Sequence, residues 1–196
     1  NEPWCVATLG YELGTHAPGR RDPVAALRAS HHLLLSHGWA TSVLRRNCPN
    51  ARLGIVLNLV PGYPASPSEA DRDATRRFDG WFNRWYLDPL FRGRYPRDAV
   101  EDRVRAGQLP GGEMPWMEGR DLAAIAVPID WLGINYYSRA VLRSERVPES
   151  ENESRTVLEA PQDERTEMGW EVHPEGLYKL LKWVHTNYPV PRIIVT

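Results

Sequence analysis

The first four residues, Asn1-Glu2-Pro3-Trp4, combine the side chains that acid catalysis on a sugar requires. A carboxylic acid can protonate a leaving oxygen, a carboxamide can hold a hydroxyl group, and an indole can stack on a sugar ring. The same residue types are also common in surface turns, which is the competing interpretation for a short motif standing alone. The chemical interpretation therefore depends on companion residues elsewhere in the chain.

The rest of the chain favours a carbohydrate ligand and shows no signature of a cofactor. The six histidines have no metal-ligand spacing, and the adjacent pair His31-His32 would diverge on a helix. There is no glycine-rich turn between a strand and a helix that would hold a nucleotide. Eight tryptophans and eight tyrosines supply flat faces of the kind that cover sugar rings, so we expect a sugar-binding site that needs no cofactor.

Composition limits the class of protein further. The 196 residues are enough for a hydrophobic core, and we expect residues 1–196 to form a single domain. A net charge of -1 provides no basic surface for nucleic acid, and no apolar run approaches the roughly 20 residues that span a bilayer. Two cysteines do not make a disulfide framework and favour a cytoplasmic location. The sequence leaves the oligomeric state open.

Segments with strand and helix patterns alternate along the chain, which predicts a parallel α/β architecture. The predicted strands are 51–60, 129–137 and 192–196, with a further extended stretch at 140–146. The predicted helices are 22 to about 38, with a continuation to 46 left open, and 66–91, 97–107, 120–127 and 174–185. Residues 4–21 are predicted to be a loop, and the polar segment 147–165 is predicted to be a surface excursion. Three strands are too few to close a barrel.

Several motifs follow the first one in a fixed order. They are residues 1–4 (NEPW), 132–138 (LGINYYS), 166–171 (TEMGWE), 174–178 (PEGLY) and 193–196 (IIVT), with further matches at 16–19 (HAPG), 83–85 (NRW) and 87–90 (LDPL). In types and spacing these motifs resemble glycoside hydrolase family 1, the β-glucosidase family. The resemblance covers the whole chain, and it implies a retaining β-glycosidase that acts on a β-glycoside or oligosaccharide substrate.

The resemblance also implies a fold. Family 1 enzymes are (β/α)8 TIM barrels with the active site at the carboxyl ends of the strands. By resemblance, Asn1-Glu2 ends the fourth barrel strand, and the three predicted strands are the fifth, sixth and seventh. The chain would thus be a partial TIM barrel from about the end of strand 4 through strand 7. The family's nucleophile is a Glu that would directly follow Thr196, so we expect a fragment of a longer enzyme that is inactive alone.

The resemblance assigns roles to four polar residues. Glu2 resembles the acid/base of the retaining mechanism, and Asn1 matches the residue that hydrogen-bonds the sugar 2-hydroxyl. Tyr137 matches the tyrosine that contacts the nucleophile, and Asn135, two residues earlier, points to the same face of its strand. Ordinary barrel packing is the alternative for Asn135 and Tyr137.

Two tryptophans complete the predicted site. Trp4 and Trp170 resemble aromatics at the aglycone entrance, although core packing is the alternative for each. Two other functions stay open within the fold, a 6-phospho-β-glucosidase and a sugar-binding relative without catalysis. A carboxylate directly after Thr196 would favour an enzyme over a binding protein, and a phosphate-binding cluster in the eighth strand would indicate the phosphorylated substrate.

Overall fold

The computed structural model describes residues 1–144, 156–159 and 164–195, with only the backbone described for 156–159. The strands are β1 (Gly54–Asn58), β2 (Gly62–Pro64), β3 (Trp131–Asn135), β4 (Ala140–Ser144), β5 (Thr156–Glu159) and β6 (Ile193–Val195). The α-helices are α1 (Pro23–Asn47), α2 (Glu69–Asp79), α3 (Trp85–Arg92), α4 (Arg97–Arg105), α5 (Asp121–Ile125) and α6 (Pro174–Asn187). Most of the predicted excursion at 147–165 lies outside the described residues. Within the described residues, no helix has the length and apolar character needed to cross a membrane.

A parallel sheet in the order β1-β3-β6 forms the centre, and its strands are the three that the sequence predicts. Gly54 pairs with Trp131 and Asn58 pairs with Asn135, so β1 and β3 end at the same edge. The buried faces carry branched aliphatic residues, which is typical of parallel strands covered by helices. The core side chains of β1 and β3 are Ile55, Leu57, Leu132 and Ile134.

A second small sheet lies beyond the carboxyl edge of the first, in the order β2-β4-β5. β2 follows β1 and β4 follows β3 along the chain, and these two strands are again parallel. β5 runs antiparallel to β4. The extended stretch predicted at 140–146 corresponds to β4. β1 and β3 are thus each continued by a strand of the second sheet. These two strands lie next to the edge where polar residues are found at the ends of β1 and β3.

Helix α1 begins where the sequence predicts and continues to Asn47. The Asp22 carboxylate accepts a hydrogen bond from the Ala25 amide at 3.0 Å, and Pro23 occupies the first turn. The apolar face of α1 buries Ala26, Leu27, Leu34 and Leu35.

The prediction of a loop at 4–21 is wrong for residues 5–12, which form a π-helical segment, Cys5–Glu12. Ala7 and Thr8 are buried there. Gly10, read from the sequence as a loop marker, instead permits a close approach, because a Cβ would lie 2.7 Å from the Ala17 carbonyl oxygen. Tertiary packing therefore outweighs the local sequence pattern that predicted a loop.

The single helix predicted at 66–91 is divided into α2, the π-helical segment Gly80–Arg84, and α3. Arg84 lies in the central segment and donates to both carboxylate oxygens of Asp98 at 2.6 and 2.7 Å. Arg76 of α2 also donates to Asp98, and the two guanidinium groups hold the pKa of that carboxyl well below its ordinary value. This cluster joins α2 to α4, while Trp85 of α3 is fully buried and donates to Ser30 of α1 at 2.9 Å.

Helices α1 and α5 touch through their backbones at Gly38. A Cβ built on Gly38 would lie only 2.0 Å from the Ala124 carbonyl oxygen. Nearby, the buried ring of His31 contacts the Asp121 carboxylate and the Tyr95 hydroxyl, both at 3.0 Å. The packing of α1 on α5 therefore depends on Gly38, because no side chain fits at that position.

We predict that Gly38→Ala in the complete protein lowers the free energy of unfolding by about 1–3 kcal/mol, because α1 and α5 must separate. In an exposed helix interior the same change would stabilise by about 1 kcal/mol, so the expected sign is reversed. The matched control is Gly119→Ala, because nothing lies within 4 Å of the Cβ position at Gly119. Chemical denaturation measures both variants, and a Gly38→Ala protein as stable as the parent would contradict the close packing.

Candidate functional site

Glu2 lies beside the carboxyl end of β1. Its amide donates to the Val56 carbonyl at 2.9 Å, and its own carbonyl accepts from the Cys5 amide at 3.0 Å. Glu2 has a φ of 47°, a left-handed conformation that costs about 1–2 kcal/mol for a residue with a side chain. Strain of this kind is found mainly where surrounding contacts impose it, and often at functional sites.

Two residues from the end of β3 bind one oxygen of the Glu2 carboxyl group. Asn135 Nδ2 donates to Oε1 at 2.6 Å, and the Tyr137 hydroxyl donates to the same atom at 3.2 Å. Asn135 Nδ2 also lies 3.3 Å from Asn1 Oδ1. The structure therefore brings together Asn1, Glu2, Asn135 and Tyr137, the four polar residues selected from the sequence.

The second oxygen of Glu2 has a partner that the sequence analysis did not select. Cys5 Sγ donates to Oε2 at 3.2 Å, and Asn58 Nδ2 lies 3.9 Å from the same sulfur. Burial, followed by the hydrogen bond to Glu2 and its charge, raises the pKa of the Cys5 thiol to about 12. Two sequence signals could have identified these residues. Cys5 stands one helical turn after Glu2, and Asn58 is a polar residue at the end of an apolar strand.

Tyr137 and Trp170 form an aromatic surface next to Glu2. Their ring centroids lie 4.8 Å apart at 48°, and the side chains are 46% and 42% exposed. Burial, followed by the charge of Glu2, raises the pKa of Tyr137, so the hydroxyl remains a donor at neutral pH. Two adjoining aromatic faces open to solvent beside a carboxyl group can accept the apolar face of a ring.

Trp170 is carried by a turn in the segment 164–172. The Thr166 amide donates to the Trp170 carbonyl at 2.8 Å, and the Trp170 amide donates to Thr166 Oγ1 at 3.2 Å. Next to it, the buried Glu171 accepts two hydrogen bonds from Arg139 at 2.7 and 2.8 Å. Since Arg139 follows Tyr137 by two residues, this ion pair fixes the turn to the segment that carries the contacts to Glu2.

Trp4 lies apart from this cluster. Its ring packs on Phe82 with centroids 4.2 Å apart, and it joins the edge of the hydrophobic core. Its indole Nε1 is buried and has no hydrogen-bond partner among the described residues. The role of Trp4 at an aglycone entrance stays a prediction.

Metal ligands do not cluster in the part of the chain that the structure describes. No group of three or more His, Cys, Asp or Glu side chains there is placed to hold a metal ion. The arrangement can instead support proton transfer by Glu2, because its carboxyl group has three hydrogen-bond donors and stands at the carboxyl edge of a parallel sheet.

Known proteins are similar to this chain along its whole length. The family model described as Glycosyl hydrolase family 1 matches residues 1–196. Beta-glucosidase A of Acetivibrio thermocellus is 40% identical over 197 residues, and a beta-glucosidase of an Agrobacterium species is 36% identical over 196. The crystal structure of a beta-glucosidase from Exiguobacterium marinum superposes with a TM-score of 0.90 at 36% identity. All of this chain is covered in each comparison, but it spans only 42%, 41% and 43% of those proteins' lengths.

The two cysteines give a prediction that does not depend on function. With a pKa of about 12, only about one Cys5 thiol in a thousand is ionised at pH 9, and the thiolate is the reactive form. We expect iodoacetamide to label the exposed Cys48 well before Cys5 in the folded protein. Peptide mass spectrometry after timed labelling measures this, and labelling in denaturant serves as the control in which the two rates converge. Equal rates in the folded protein would show that the Cys5 thiol is not held by Glu2.

Proposed function

The chain belongs to glycosyl hydrolase family 1, and we propose that the complete protein hydrolyses β-glucosidic bonds with Glu2 as general acid and base. The chain is part of the family's α/β barrel, since solved beta-glucosidase structures superpose on all of it. We further propose that it extends from the end of the fourth barrel strand through the seventh. A cytoplasmic location remains part of the proposal and rests on the low number of cysteines.

The contacts around Glu2 are the observation that best supports this function. Its carboxyl group accepts from Asn135, Tyr137 and Cys5, while the neighbouring Tyr137 and Trp170 rings are open to solvent. A surface glutamate in a turn would have no reason to hold a strained backbone and collect three donors.

The proposed reaction has two steps. In the first, Glu2 transfers its proton to the glycosidic oxygen as the bond to the sugar breaks, and a second carboxylate forms an ester with the sugar. In the second step the Glu2 carboxylate takes a proton from water, and the resulting hydroxide displaces the ester. The three donors around Glu2 hold its carboxyl group in a fixed position for both steps.

The second carboxylate is expected directly after Thr196. β6 pairs with β3 in parallel, with Val195 opposite Ile134. If this register continues, the residue after Thr196 lies level with Tyr136, between Asn135 and Tyr137. This is the strand edge that carries Glu2, and the retaining mechanism requires a second carboxylate about 5–5.5 Å from the acid. The Tyr137 hydroxyl could then move between the two carboxylates.

Substrate contacts follow from the same geometry. We propose that Asn1, next to Asn135, binds the sugar 2-hydroxyl, an interaction that strengthens in the transition state. The tilted pair Tyr137 and Trp170 would then cover the aglycone. The names of the relatives, all beta-glucosidases, support glucose as the sugar.

We predict that Glu2→Gln in the complete protein lowers the hydrolysis of alkyl β-glucosides by about 10²–10⁴-fold, because the leaving oxygen is no longer protonated. Aryl glucosides with good leaving groups should still form the ester, and azide should accelerate its breakdown. Initial rates on both substrate types measure the effect. The matched control is Glu175→Gln, an exposed carboxyl on α6 paired with Lys179, which should leave both rates unchanged. Equal losses on both substrates without azide rescue would exclude Glu2 as the acid/base.

We predict that Tyr137→Phe lowers kcat/KM and moves one limb of its pH profile to higher pH, because a carboxylate loses a hydrogen-bond donor. A moved basic limb would assign the bond to Glu2, and a moved acidic limb would assign it to the nucleophile. Tyr136→Phe is the matched control, because the Tyr136 hydroxyl donates to the His173 carbonyl at 2.6 Å, away from Glu2. An unchanged Tyr137→Phe profile would indicate that the ring serves packing alone.

A further inference from the structure

The two oxygens of the Glu2 carboxyl group have chemically different partners. Oε1 accepts from the Asn135 amide at 2.6 Å and from the Tyr137 hydroxyl at 3.2 Å. Oε2 has Cys5 as its partner among the described residues, at 3.2 Å from Sγ. One oxygen therefore faces two strong donors and the other faces a single weak one.

This asymmetry decides where a proton can bind. An amide N–H cannot accept a hydrogen bond, so a proton placed on Oε1 would point at the Asn135 donor or force it away. Among the described residues, a proton on Oε2 meets only the Cys5 thiol, which can rotate its hydrogen aside or accept weakly through sulfur. We propose that Glu2 carries and delivers its proton on Oε2, and that Cys5 is the positioning residue of this oxygen, an inference that rests on the proposed function.

The contacts of Cys5 hold its thiol next to Oε2 of Glu2. Its amide donates to the Glu2 carbonyl at 3.0 Å, which fixes the thiol one turn beyond the acid. On the other side of the sulfur, Nδ2 of the buried Asn58 lies 3.9 Å away, at the end of β1. Burial and the neighbouring carboxyl raise the pKa of Cys5, so the sulfur keeps its hydrogen and remains a donor.

The thiol contributes differently to the two states of Glu2. When the Oε2–H bond breaks and the proton joins the glycosidic oxygen, the electron pair left on Oε2 receives the S–H hydrogen bond. When Oε2 recovers a proton from water, that hydrogen bond is given up. Cys5 therefore stabilises the charged form modestly, without becoming a reactant. This predicts that the strength of the donor at position 5 sets the pH at which Glu2 stops acting as an acid.

The groups that face Glu2 come from three elements. Cys5 and Tyr137 are its titratable neighbours, from the segment Cys5–Glu12 and the end of β3, and both keep their protons at neutral pH because their pKa values are raised. The side chains of Asn1 and Asn135 are neutral, and in the complete protein the carboxylate proposed after Thr196 is the further charged group near Glu2. Removing the Cys5 donor therefore changes the ionisation of Glu2 without adding or removing a charge.

The test replaces the donor at position 5 by a stronger one and by none, in the complete protein. Profiles of kcat/KM against pH on an alkyl β-glucoside, whose leaving oxygen needs the Glu2 proton, are compared for Cys5→Ser and Cys5→Val. We expect the basic limb to move down by about half a pH unit for Ser and up by about half a unit for Val. The matched controls are Cys48→Ser and Cys48→Val at the exposed cysteine, which should leave the profile in place.

Opposite shifts are the discriminating outcome, because a merely structural cysteine would give changes of the same sign or no change. Same-sign or absent shifts in folded variants would overturn the role of Cys5. If Cys5→Val does not fold, Cys5→Ala replaces it with the same upward shift expected. The Glu2→Gln variant tests the proposed function separately from the role of Cys5. A Glu2→Gln protein that hydrolyses alkyl β-glucosides at the parent rate refutes the proposed function, whereas loss of that hydrolysis together with unmoved Cys5 profiles refutes only this inference.

Discussion

The parallel pairing of β1 with β3 is the constraint on which the rest of the site depends. Asn58 and Asn135 are direct partners in this ladder, so two polar side chains leave the sheet at the same edge. Glu2 joins the same edge through its hydrogen bond to the Val56 carbonyl. A shift of one residue in this register would turn Asn135 to the other face and remove the strongest hydrogen bond to Glu2. The register of this strand pair, rather than any single side chain, positions the contacts to Glu2.

The helix layer holds this register from outside through polar contacts as well as apolar burial. Arg84 and Arg76 share Asp98, and His31 bridges Asp121 and Tyr95 inside the core. Each partner in these clusters is satisfied by another group of the protein, which avoids the penalty for isolated buried charge. The clusters connect segments distant in sequence, and they leave the carboxyl edge of the sheet free for Glu2 and its neighbours.

Much of this arrangement could be predicted from the sequence, because the signals were local. Short segments with strand patterns predicted β1 and β3, and Asp22 with Pro23 marked the start of α1. The spacing of Asn135 and Tyr137 placed both on one strand face. Contacts made across the fold were not visible. The helical segment at Cys5 is stabilised by packing, and one oxygen of Glu2 is held by Asn135 and Tyr137, which are distant in sequence.

The ion pair between Arg139 and Glu171 links the aromatic surface of Tyr137 and Trp170 to the surroundings of Glu2. Arg139 continues the segment that supplies Asn135 and Tyr137, and Glu171 adjoins Trp170. The aromatic surface and the hydrogen bonds to Glu2 therefore share one support, and a displacement of that support moves both together. If Trp170 contacts the leaving group as proposed, a shift of Trp170 would also displace the contacts to Glu2 unless Arg139 stayed in place. Replacement of side chains on the turn, without movement of the turn, would then be the route by which selectivity diverges.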